Sequence, residues 1–159
     1  MSLIGGAYLV FRKDLAIEAR AKEITTTTAL FAALVVVIGG LSLYVDTRTG
    51  RLVAPGVLWM SIVFSGVLSM GRSWAREREN DAIRGLLLAP IPRGSIYLGK
   101  VASTLVFISV VELVVVPLVA MLFHVDFGPV LAAVMAILVL GTLGFVAAGT
   151  LFSALTVRT

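Results

Sequence analysis

The 159-residue sequence predicts an all-α protein, a polytopic bundle of membrane-spanning helices with an interfacial helix ahead of the first span. Three observations predict it. Apolar residues make up 59% of the chain and charged residues 14%, with a mean hydropathy of +1.06. Soluble domains sit near 45–50% and about 25%, and a soluble globule of this size has too much surface to hide so much apolar side chain. Four runs of twenty or more residues carry no charge or a single one. Lys and Arg are segregated between those runs, eleven on one side of a four-span topology and two on the other. A soluble enzyme, a disordered tail and a secreted disulfide scaffold are excluded. The absence of cysteine removes thiol catalysis and thiolate metal sites. One histidine, His124, does not make a zinc site of ordinary type.

Residues 2–24 come first. Ile4, Tyr8, Phe11 and Leu15 follow helical spacing and give one apolar face. Arg12, Lys13, Arg20 and Lys22 supply basic groups, and Glu18 stands four residues before Lys22, a favourable pair on a helix. The segment predicts a helix lying in the membrane interface; the alternative is a plain extension of the first span. No secretory signal is visible, because positive charges follow the short apolar stretch rather than precede it.

The spans follow at residues 26–45, 52–71, 101–123 and 127–157. Twenty residues at about 1.5 Å each cover about 30 Å, one bilayer core. Pro55 and Gly56 fall in the first turn of the second run, where proline is tolerated. The fourth run is longer than one membrane thickness, so it tilts, breaks near Gly141, Gly144 and Gly149, or includes an interfacial lead-in. The basic segments place the N-terminus and the loop 72–100 in the cytoplasm. The net charge of +4 is thereby explained by topology and requires no nucleic-acid partner.

Four groups of residues are candidates for chemistry or contact. Gly94, Gly99 and Lys100 have G-x-x-x-x-G-K spacing, but Val101 stands where a phosphate loop needs Ser or Thr. A helix start with a snorkelling lysine accounts for them. Glu112 lies at the middle of the third run, where a carboxyl serves either transport or a hydrogen bond within the bundle. Ser61, Ser65 and Ser69, with Gly144–Ala148 and Gly149–Ser153, form small-residue stripes that predict packing seams, within the chain or across a homodimer. In the loop 72–100, Asn80 or Asp81 caps a short helix with Ile83, Leu86 and Leu87 on one face, ended before Pro90. It is a docking element or a linker on the lipid surface.

At this loop the chain resembles a known family. Arg12-Lys13-Asp14-Leu15, then Ala54-Pro55-Gly56-Val57-Leu58-Trp59, then Arg72, Glu77, Glu79, Leu86, Leu87 and Pro90, then Tyr97-Leu98-Gly99-Lys100, look like the cytochrome c maturation protein B family, CcmB for short. The resemblance implies a permease of the ABC-2 class in an ABC-type complex of the inner membrane. It implies a separate ATPase subunit, a heme-handling membrane protein as a further partner, and a function in heme delivery or export for c-type cytochromes. Glu77, Glu79, Ile83, Leu86 and Leu87 would then belong to the coupling helix that meets the ATPase. It implies no enzyme activity, metal or cofactor in this chain, heme being the handled molecule and ATP bound by the partner. With only Trp59 and Trp74, the chain lacks the partner's tryptophan-rich motif, and Met60, Met70, Met121 and Met135 read as interface and core residues. Family members carry further spans, so a chain shortened after its fourth is expected. A permease for a drug or lipid, and a scaffold that anchors a partner without transport, are the alternatives.

Overall fold

The computed structural model describes residues 2–43, 46–79 and 92–156, and all the regular structure among them is helical. Among the described residues five α-helices follow one another: α1 (Leu3–Ala21), α2 (Glu23–Leu43), α3 (Thr47–Glu79), α4 (Arg93–Phe123) and α5 (Leu131–Thr156). Among the described residues four helices are long and apolar enough to cross a membrane, namely α2 to α5. The protein is an all-α polytopic bundle.

Local chemistry sets the helix ends. The Ser2 hydroxyl accepts the Gly5 N–H at 3.2 Å and caps α1. α1 stops at Lys22, which takes the left-handed conformation (φ 52°) while its N–H returns to the Glu18 carbonyl at 2.7 Å. The Glu18 carboxylate then accepts the Thr25 N–H at 2.7 Å, so one side chain caps the start of α2 from the preceding helix. At the other end of α2, Asp46 caps α3 by accepting the Thr49 N–H at 2.8 Å. Hydrogen bonds from the Thr49 side chain first and its backbone second hold the Asp46 carboxyl below its usual range.

Three boundaries differ from the sequence expectation. α3 starts at Thr47, so Pro55 sits inside the helix rather than in its first turn. α3 also runs on through Glu79 and α4 begins at Arg93, so the loop expected over 72–100 is helical at both ends. Charge ends an apolar run but not a helix: Arg and Glu are good helix formers, and the stretch simply leaves the lipid. The fourth span has no break at its glycines. Its excess length is a lead-in, a 3₁₀ turn at Gly128–Val130 in which Asp126 accepts the Gly128 N–H at 2.9 Å.

α4 is the central helix and packs against α1, α2, α3 and α5. Its buried residues Ser95, Gly99, Ser103, Phe107, Val111, Val115, Val119 and Phe123 form one row at i+4 spacing. Matching rows face it, Gly6, Val10, Asp14 and Glu18 on α1, and Ile24, Thr28, Ala32, Val36 and Gly40 on α2. α1 runs in the same direction as the first half of α4, from Leu3, whose carbonyl accepts the Ser95 hydroxyl at 2.8 Å, towards Phe107. The apolar stripe expected on α1 therefore faces outward at Ile4 and Tyr8, and the face carrying Asp14 and Glu18 is the buried one. Leu30, Leu34, Leu41, Leu140, Phe152 and Leu155 project outward from α2 and α5, as side chains solvated by lipid do.

Candidate functional site

Among the described residues, two groups of buried polar side chains that join helices carry ionisable residues of the spans and their flanks. The first joins α1, α3 and α4. Lys100 is 2% exposed, and its Nζ lies 2.9 Å from Asp14 Oδ2. The same ammonium donates to Ser73 Oγ on α3 at 3.2 Å. Ser103 Oγ lies 3.2 Å from Asp14 Oδ2 and 3.0 Å from the Lys100 carbonyl, so its single proton can serve either oxygen. Lys13 Nζ reaches Asp14 Oδ1 at 3.1 Å from the more exposed side. Nearby, Arg72 of α3 reaches Glu23 of α2 at 3.8 Å, an exposed pair of little energetic weight.

This corrects the expectation of a snorkelling Lys100. A lysine near an interface extends to water when nothing inside can satisfy it; here the Asp14 carboxylate supplies the countercharge, and the ammonium turns inward. Gly94, Gly99 and Lys100 all lie within α4, a continuous helix that forms no phosphate cradle. Gly99 instead permits close approach: a Cβ there would stand 2.6 Å from Val10 Cβ and 2.8 Å from the Ala7 carbonyl oxygen. Asp14 does not belong to the apolar stripe of α1, so that stripe does not point to it. The available signal was the row Gly6, Val10, Asp14, Glu18, which begins with a small residue and carries two carboxylates.

The second group lies in the spans. Glu112 is buried and accepts a hydrogen bond from Thr142 Oγ1 across the α4–α5 contact. This geometry supplies the hydrogen bond that the bundle role requires. Glu112→Gln is therefore expected to accumulate and function as the wild type, because the amide oxygen still accepts. Thr142→Val strands the carboxyl and is expected to cost about 1–3 kcal/mol, read as a lower thermal midpoint in detergent. An inactive but fully assembled Gln variant would restore the transport role.

The small residues divide. Ser61, Ser65 and Ser69 are all buried on α3; the first two return their hydroxyl protons to the Val57 and Ile62 carbonyls at 2.6 and 3.0 Å. Gly149 packs beneath Met70, whose Sδ would stand 2.6 Å from an added Cβ, and Gly141 receives the Trp59 ring. Gly144 does not join a seam among the described residues: it faces outward, and a Cβ there would meet open space. The glycines that close this contact are Gly141, Gly149 and, against Phe145 and Ile108, Gly66. Stripe spacing alone cannot select them, since it does not say which way a face turns.

Of the coupling residues, Glu77 and Glu79 belong to the last turn of α3, continuous with the span, rather than to a separate short helix. Ile83, Leu86 and Leu87 lie outside the described residues. His124 is exposed and closes α4 in the left-handed conformation (φ 52°). Among the described residues no group of three His, Asp or Glu is placed to hold a metal ion.

These features define a multi-pass helical membrane protein whose central helix carries buried charge at one end and a buried carboxyl further along. Residues 6–159 match the family model described as CcmB protein, and the chain belongs to the CcmB family. It is 28% identical over 94 residues to Heme exporter protein B of Escherichia coli, a match covering 59% of this chain and 43% of the relative. The same figures hold for Heme exporter protein B of Shigella flexneri. The matched segment thus spans less than half the length of these relatives. No solved structure matches the chain.

Proposed function

We propose that this chain is the membrane permease of an ABC-type complex that delivers or exports heme for c-type cytochrome biogenesis. The observation that carries the reading is the CcmB family match over residues 6–159 of a chain that has, among its described residues, four helices long and apolar enough to cross a membrane. The name heme exporter protein B on the relatives supports heme as the handled molecule. ATP hydrolysis belongs to a separate ATPase subunit. A heme-handling membrane protein is the further partner, and two copies of this chain form the transport unit. The complex sits in the inner membrane.

The distribution of Lys and Arg supports a cytoplasmic N-terminus. A reporter active only outside the cytoplasm should be active when fused after Thr49 and silent when fused after Arg84. The reverse pattern would overturn this orientation.

The segment 77–87 is the ATPase-docking element in this proposal, with Leu86 and Leu87 as anchors and Glu77, Glu79 and Ile83 beside them. Central apolar anchors carry most of an interface's energy, often about 2 kcal/mol or more each, whereas rim charges carry much less. Leu86→Asp should release the ATPase from detergent-solubilised complexes and stop covalent heme attachment to c-type cytochromes, with the permease level unchanged. A strain lacking the chain should show the same maturation defect, restored by the wild-type gene. Normal maturation in that strain would sink the heme reading and leave a permease for a drug or lipid.

A further inference from the structure

The Asp14–Lys100 pair is not needed to anchor α1 against α4 in any simple sense. Apolar contact around Val10 and Gly99 and the Ser95–Leu3 hydrogen bond already join them. A buried ion pair is a poor source of net stability, because desolvation offsets its Coulomb attraction. What such a pair does supply is a fixed geometry, since a buried charge that leaves its partner gives up a close contact that desolvation has already cost it.

Its position gives that geometry a use. α3 and α4 are the helices on either side of the cytoplasmic segment between Glu79 and Pro92. Lys100 of α4 holds Ser73 of α3 and Asp14 of α1 at once, through contacts of 3.2 and 2.9 Å. Beyond Asp14, α1 ends in a hydrogen-bonded corner. Lys22 is in the left-handed conformation, and Glu18, 4% exposed, holds the Thr25 N–H at 2.7 Å. The corner passes directly into α2, which lies along the second half of α4 up to Phe123.

We propose that Lys100 is the positioning residue through which α1 follows the helices bracketing the cytoplasmic segment, the Glu18–Thr25 corner carrying that movement into the first span. The inference rests on the reading of this chain as an ATPase-coupled permease. It makes α1 a driven lever. Lys100 touches no transported molecule; it acts through Asp14.

The test uses the whole membrane complex with its ATPase. The chain has no cysteine, so spin labels can be introduced in pairs without background. Tyr8, Leu98 and Leu151 are exposed on α1, α4 and α5, at 59%, 42% and 52%. With ATP turning over, the Tyr8–Leu98 separation should hold constant while the Tyr8–Leu151 separation changes. A Tyr8–Leu98 separation that varies through the cycle, or a Tyr8–Leu151 separation that does not, overturns the proposal.

The double variant Asp14→Asn with Lys100→Met removes both charges together, which buried pairs tolerate far better than loss of one. It should assemble, bind the ATPase and hydrolyse ATP, yet show a broadened Tyr8–Leu98 distribution. Its cytochrome maturation should fall roughly tenfold, within the usual range of a coupling free energy. Full maturation in an assembled double variant also overturns the proposal. If that variant does not accumulate, the wild-type distances decide alone. Failure of the wild-type complex to capture an ATPase would instead remove the permease reading, a separate result.

Discussion

Lys100→Met alone will deplete the protein from membranes and lower its thermal midpoint in detergent. The substitution is close to isosteric along the aliphatic stem, so packing changes little. What changes is charge. Asp14 is 8% exposed and loses the cation that faces it from inside the bundle at 2.9 Å. Lys13 remains on the other carboxylate oxygen at 3.1 Å, from a more exposed position. Removing one partner of a buried pair typically costs about 3–5 kcal/mol, because the other charge is left uncompensated. The retained Lys13 contact puts the expected cost at the lower end of that range, about 3 kcal/mol. Adding Asp14→Asn should recover most of it. Unfolding of the two variants, followed by fluorescence-detected gel filtration, checks the claim; a single variant as stable as the wild type would show that the pair is solvated.

Gly99→Leu will detach α1 from α4. An added Cβ alone would press on Val10 at 2.6 Å and on the Ala7 carbonyl oxygen at 2.8 Å. A side-chain tip could rotate away, but a backbone carbonyl within α1 cannot. Gly99→Ala should therefore already cost about 1–3 kcal/mol, the usual range for overpacking. Leucine exceeds any local adjustment and separates the helices, breaking the Ser95–Leu3 bond and opening the Asp14–Lys100 pair to water. Protease cleavage within α1 in membrane vesicles should rise sharply. Gly144→Ala is the control. Its Cβ meets open space, and replacing a mid-helix glycine should gain about 1 kcal/mol of helix propensity. Equal effects at Gly99 and Gly144 would contradict the helix packing described above.

The sequence by itself determined the class and the number of long apolar helices. Runs such as 101–123 cannot be placed in water, and their length matches a bilayer core, so local composition is enough. The motifs around Trp59 and Lys100 pointed to the family because they are strings of neighbouring residues, legible without a fold. Helix ends were less legible. Hydropathy reports where lipid stops, while α3 continues into the charged stretch because backbone hydrogen bonding does not require apolar side chains.

Only the tertiary structure decided which face of each helix turns inward. Asp14 and Lys100 are 86 residues apart in sequence, and nothing local to either requires that they meet. Within α1 the apolar stripe of Ile4 and Tyr8 competed with the row of Val10, Asp14 and Glu18 for the interior. In water the first would be buried. In lipid, apolar side chains lose nothing by facing outward, and it is charges and close-packing glycines that must find a partner inside. The same physics turned Gly144 outward and seated Trp59 on Gly141, two residues of similar spacing that the sequence could not tell apart.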